Sequence, residues 1–141
     1  MTQYIMTCAV LAICTYTDIR WRRIYKRVIA AHLLLALITH LALRDVALGS
    51  VLMGMVPGIG CLLMSAGTHE AMGYGDAFLI LSCGFSLGSE RVLAVMFTAF
   101  FCVGIWALWL ICFRKGKKKG GIPFVPFLLA GAIVQGLGVL L

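Results

Sequence analysis

Apolar runs long enough to cross a bilayer follow one another almost without pause, separated only by short charged or glycine-rich segments. A helix of about 20 apolar residues spans the hydrocarbon layer. In that solvent every backbone N–H and C=O must find its partner within the chain, which leaves helices or a closed barrel. The runs lack the strict alternation of barrel strands, so helices are expected. Hydrophobic residues fill 62% of the 141 positions and only 12% are charged, whereas a soluble domain keeps roughly a quarter of its residues charged. The expected fold is therefore all-α, a polytopic membrane bundle of about six transmembrane helices. It forms a single domain over residues 1–141, held in the lipid bilayer, with no soluble domain.

The spans read as about Gln3–Thr17, Val28–Leu43, Val46–Ala66, Asp76–Gly88, Val92–Phe113 and Ile122–Leu141. Net charge is +7, but its placement argues against nucleic acid as a partner. Ten of the twelve basic residues fall in two clusters, Arg20–Arg27 and Arg114–Lys119. Basic clusters flanking apolar spans mark the cytoplasmic side. If the loops alternate, those at 18–27, 67–76 and 114–121 share that side, and both termini lie outside. Asp18 and Asp76 then meet the cytoplasmic edge, while Asp45 and Glu90 fall on the far side. Two of the five acidic residues are thereby removed from any cytoplasmic site.

Other polar and small residues fit plainer roles. Gly54 and Gly58, spaced as Gly-x-x-x-Gly beside Pro57, suit a kink and close helix packing. Six cysteines without any C-x-x-C pair indicate neither zinc nor a redox dithiol. His32 and His40 have no clustered ligand partners, so no metal site is expected, and no cofactor is implied. His69 and Glu70 read as loop residues. Trp21 and Trp109 suit the membrane interface.

The chemistry concentrates in Gly73-Tyr74-Gly75-Asp76. Glycines at alternate positions let the backbone bend sharply and let another chain pass close by. An extended peptide could pair with such a segment. Asp76 would head a helix, where the amide dipole favours negative charge. If folding brings it near Asp18, like-charge repulsion keeps one carboxyl protonated. One group could then take a proton from water while the other donates to a carbonyl. On spacing alone, two ordinary helix-end acids explain the residues equally well.

Three segments together resemble the type IV prepilin peptidase family, membrane aspartyl proteases of the GxGD class. Asp18-Ile19-Arg20-Trp21-Arg22-Arg23-Ile24 is similar to its first aspartate and basic stretch. Gly73-Tyr74-Gly75-Asp76 is similar to its second-aspartate motif. Ile122-Pro123-Phe124-Val125-Pro126-Phe127-Leu128 resembles the opening of its last helix. The resemblance implies a catalytic pair, Asp18 and Asp76, with Gly73 and Gly75 shaping the turn. It implies cleavage of the short basic leader of prepilin or pseudopilin substrates at the cytoplasmic membrane face. Glu70 is a candidate for binding that basic leader. The chain departs from the family pattern at Tyr25 and Lys26, where Pro-Asn is frequent, and at Phe78, where lysine is frequent. It carries no large insertion with cysteine pairs, and so resembles the peptidase-only form without methyl transfer. A non-catalytic, leader-binding component of a pilus or secretion assembly is the alternative, and a small transporter ranks behind it. Neither the substrate's identity nor the oligomeric state follows from the sequence.

Overall fold

A computed structural model describes residues 2–21, 24–43, 47–68, 73–113 and 124–140. These residues form six helices: α1 (Thr2–Trp21), α2 (Lys26–Leu43), α3 (Leu48–Gly67), α4 (Tyr74–Leu87), α5 (Ser89–Phe113) and α6 (Val125–Leu140). No strand occurs among them, and the result is the helical membrane bundle expected from the apolar runs. Helices α3 and α5 are long and apolar enough to cross a membrane, while α4 and α6 are shorter apolar helices. Leu41, Leu48, Leu63, Phe97, Ile111 and Phe113 all point outward. In water such a surface would invite aggregation; against lipid it costs nothing.

Several boundaries differ from the sequence expectation. Helix α1 continues through Asp18 to Trp21, so Asp18 lies within the last turn rather than after it. Ser89, Glu90 and Arg91 already belong to α5. The reversal before them is made by Gly88 alone, at φ 80°, a left-handed conformation that glycine adopts without a Cβ clash. The basic segment 114–121, with the Arg44–Asp45 pair, lies outside the described residues.

Helix α4 is the centre of the bundle and packs against α1, α2, α3 and α5. Its Ala77, Leu79, Ile80, Ser82, Cys83, Gly84, Ser86 and Leu87 are all buried. Against α3 the approach is set by backbone. A Cβ placed on Gly54 would lie 2.5 Å from the Gly84 carbonyl oxygen, and one on Gly58 would run into the Leu81 backbone. Gly131 of α6 meets the Val95 carbonyl of α5 in the same way. Lipid tails are as apolar as leucine, so helix association in a membrane depends on close packing and interhelical hydrogen bonds. The close-packing role expected for Gly54 and Gly58 is the one observed.

Substitution at this seam is expected to separate crowded glycines from open ones. Gly84→Ala forces a methyl into the Gly54 backbone and should destabilise the bundle by about 1–3 kcal/mol. Gly60→Ala, with open space around its position, should leave stability unchanged or raise it by up to about 1 kcal/mol through helix propensity. Thermal unfolding of both variants in detergent measures the difference.

Candidate active site

Asp18 and Asp76 reach the site from separate helices. Asp18 is half-buried one turn before the end of α1, above the buried Cys14 and Thr17. Asp76 is half-buried in the first turn of α4. There the Asp76 and Ala77 amides donate to the Gly73 carbonyl at 3.1 and 3.3 Å. The helix dipole favours a negative charge at this turn. Burial acts most strongly on the Asp76 carboxyl, and the charge of Asp18 reaches it as a second influence in the same direction. Glu90 lies in the first turn of α5, beside Gly88 at the opposite end of the bundle.

The glycine motif folds differently from the open turn expected of it. Gly73 caps α4 with ordinary extended angles, φ −61° and ψ 132°, and Tyr74 and Gly75 are already helical. An extended partner strand could therefore pair only at or before Gly73. Space at Gly75 is tight: a Cβ there would lie 3.1 Å from the Ile24 side chain, which would have to shift by a few tenths of an ångström. At Gly73 the same atom would meet only an Asp76 carboxylate oxygen, at 3.8 Å. Glu70 and His69 lie outside the described residues.

Beside the first turn of α4 opens a groove of about 860 Å³. Its walls come from three places: Ile24, Tyr25, Lys26 and Ile29 at the start of α2; Leu62, Leu63 and Ala66 near the end of α3; and Tyr74, Gly75 and Phe78 of α4. Neither Asp18 nor Asp76 lines this groove; Asp76 lies within one helical turn of the groove residues Tyr74, Gly75 and Phe78. Tyr25, Lys26 and Phe78, the three departures from the family pattern, all line this one groove. The α3 residues Leu62, Leu63 and Ala66 escape sequence reasoning, because nothing distinguishes them from lipid-facing residues until α3 is packed on α4.

Near the same end, Trp106, Trp109, Phe113 and Phe127 form a chain of ring contacts with centroids 5.4 to 6.2 Å apart. Arg20 lies over the Trp21 ring, 5.8 Å from its centroid. Half-exposed tryptophans gathered at one level suit a membrane–water interface. Among the described residues no group of three His, Cys, Asp or Glu side chains is placed to hold a metal ion.

The two glycines should respond differently to a methyl group. Gly75→Ala presses on Ile24 and is expected to cost about 1 kcal/mol. Gly73→Ala should stay within about 0.5 kcal/mol of the parent. Unfolding midpoints in detergent compare them.

Neither the curated proteins nor the solved structures compared with this chain include a match to it. A sequence model of the type IV leader peptidase family, by contrast, matches residues 5–108. That stretch takes in both aspartates, the glycine motif and every residue of the groove. With most of its length matched, the chain belongs to the type IV leader peptidase family, a family of membrane-embedded peptidases.

Proposed function

We propose that this chain is an aspartyl endopeptidase that removes the short basic leader from prepilin- or pseudopilin-like proteins at the cytoplasmic membrane face. Asp18 and Asp76 act as the water-activating pair. The observation that carries the reading is that Asp18 of α1 and Asp76 of α4, from helices distant in sequence, are both half-buried at one end of the bundle, where the charge of Asp18 reaches Asp76. One carboxylate takes a proton from water, and the other, protonated, donates to the scissile carbonyl. The basic segment Arg20–Arg27 supports the cytoplasmic placement, with the chain crossing the membrane several times and both termini outside. The apolar groove is suited to the substrate's hydrophobic segment. A side chain arriving there exchanges lipid for Ile29, Leu62 and Phe78 without exposing its backbone to a new solvent.

Asp18→Asn and Asp76→Asn are each expected to abolish leader removal while leaving membrane insertion intact. Co-expression with candidate prepilins, followed by gel mobility, reads the result; normal processing by either variant excludes the pair mechanism. Because coupled carboxyls lose their protons in two macroscopic steps, the cleavage rate should pass through a maximum between them. A rate that climbs monotonically across the acidic range would argue against a shared proton. In the groove, Phe78→Ala removes apolar contact worth about 1.5–3 kcal/mol. It should raise KM by about tenfold or more with little change in kcat, measured on a purified prepilin in detergent or nanodiscs.

A further inference from the structure

A second cluster of polar side chains lies inside the bundle, away from the aspartates. Thr7 of α1, His32 of α2, and Ser82 and Ser86 of α4 are all fully buried. The Thr7 hydroxyl donates to the Gln3 carbonyl at 2.7 Å, so its oxygen can only accept from its other neighbours. Those neighbours are the Ser86 hydroxyl at 3.1 Å and the His32 Nε2 at 3.4 Å. With the proton on Nε2, the neutral His32 ring accepts at Nδ1 from Ser82 Oγ, 2.5 Å away. Every donor of the four side chains is thus used, and three helices are joined at one point. Farther out, Gln3 Nε2 donates to His40 Nδ1 at 3.1 Å, and His40 Nε2 donates to the Phe85 carbonyl at 2.8 Å.

The register of this cluster bears on the active site. Thr7 precedes Asp18 by eleven residues, and Ser86 follows Asp76 by ten. At about 1.5 Å per helical residue, each contact residue lies roughly 15–16 Å from its aspartate. Helices α1 and α4 run in opposite directions, so the Thr7–Ser86 bond sets Asp18 and Asp76 at the same level. A slip of either helix by one residue would break the bond and offset the carboxyls together. The apolar contacts between α1 and α4 oppose such a slip weakly, because one leucine-lined position in lipid resembles the next. A buried hydroxyl left without its partner in hydrocarbon costs several kcal/mol.

We propose that Thr7 and His32 are positioning residues: the Thr7–His32–Ser82–Ser86 cluster fixes the register of α1 against α4 and thereby the juxtaposition of Asp18 and Asp76. The activity arm of its test rests on the peptidase reading above; the distance arm does not. Thr7→Val keeps the size and shape of the side chain and removes all three hydrogen bonds, while Thr7→Ser retains the hydroxyl. Pulsed-EPR distances between genetically encoded spin labels at Ile19 and Tyr74, with the native cysteines untouched, report the register. Thr7→Val should broaden or shift that distance distribution, and Thr7→Ser should restore it. In the unlabelled protein, Thr7→Val should lower kcat by about tenfold to a hundredfold, as misplaced catalytic groups do. KM should stay within about threefold, because the groove walls of α3 and α4 are joined by the separate glycine seam, and Thr7→Ser should recover kcat. If Thr7→Val does not accumulate in the membrane, Ser86→Ala, which removes a single bond, carries the same pair of measurements. An unchanged distance distribution with unchanged kcat overturns the proposal. So does a loss of kcat at unchanged distance. If the parent chain cleaves no prepilin, the peptidase reading fails and the distance arm alone decides the positioning role.

Discussion

Helix α4 can hold Asp76 in a fixed place only because Gly54 and Gly84 let the backbone of α3 lie against its own. In a soluble protein, the hydrophobic effect would press these helices together whatever their surfaces. In lipid that pressure vanishes, and what remains is how closely two backbones approach and which polar groups they satisfy. Among the described glycines the Gly54–Gly84 contact is the tightest, a Cβ on Gly84 falling onto the Gly54 carbonyl oxygen. It also makes α4 the element from which the rest is hung. Its first turn carries Asp76, its flanks receive α1, α2 and α5, and its end reverses at Gly88.

Two kinds of seam divide the work around α4. Toward α3 the seam is small and dry, and its specificity is steric: Gly58 fits over Leu81 and no side chain would. Toward α1 and α2 the seam is polar, running through Thr7, His32, Ser82 and Ser86. Interhelical hydrogen bonds in membranes add only about 0.6–2 kcal/mol each, so this seam contributes little to holding the helices together. Its effect is on alternatives. A shifted packing keeps nearly all its apolar contact but strands buried hydroxyls and an imidazole, and that penalty selects one register. The steric seam fixes how near α4 lies to its neighbour, and the polar seam fixes how far along.

The sequence made the bundle legible because apolar length and charge placement are properties of the chain itself. Basic clusters and run boundaries separated Asp18 and Asp76 from Glu90 before any packing was known, and the structure puts Glu90 at the other end. The Gly54–Gly58 spacing announced a close contact correctly. Boundaries were less legible: Asp18, Arg20 and Trp21 look like loop residues in composition, yet α1 continues through them, since charged residues near a membrane edge are tolerated in a helix whose tip is solvated. The glycines of the motif were misread in kind. Gly75 serves closeness to Ile24, a fact that depends on where the α1–α2 connection returns. His32 and His40 carry no ligand pattern in the sequence; their partners are hydroxyls, the Gln3 amide and a carbonyl, all supplied by other helices. The visible trace of that network was Thr7, Ser82 and Ser86 standing in otherwise apolar runs.

Where this chain departs from the family pattern, it does so on one surface. Tyr25, Lys26 and Phe78 belong to two segments about fifty residues apart in the sequence, yet all three line the groove beside α4. Scattered drift in a chain losing its activity would have no reason to converge on a substrate-sized space. Where the resemblance implies lysine, α4 carries Phe78, and Lys26 lines the same groove from the start of α2. On the peptidase reading proposed above, such a change would alter which side chains the groove accommodates and would leave both aspartates in place. That placement favours the proposed enzyme over a leader-binding scaffold.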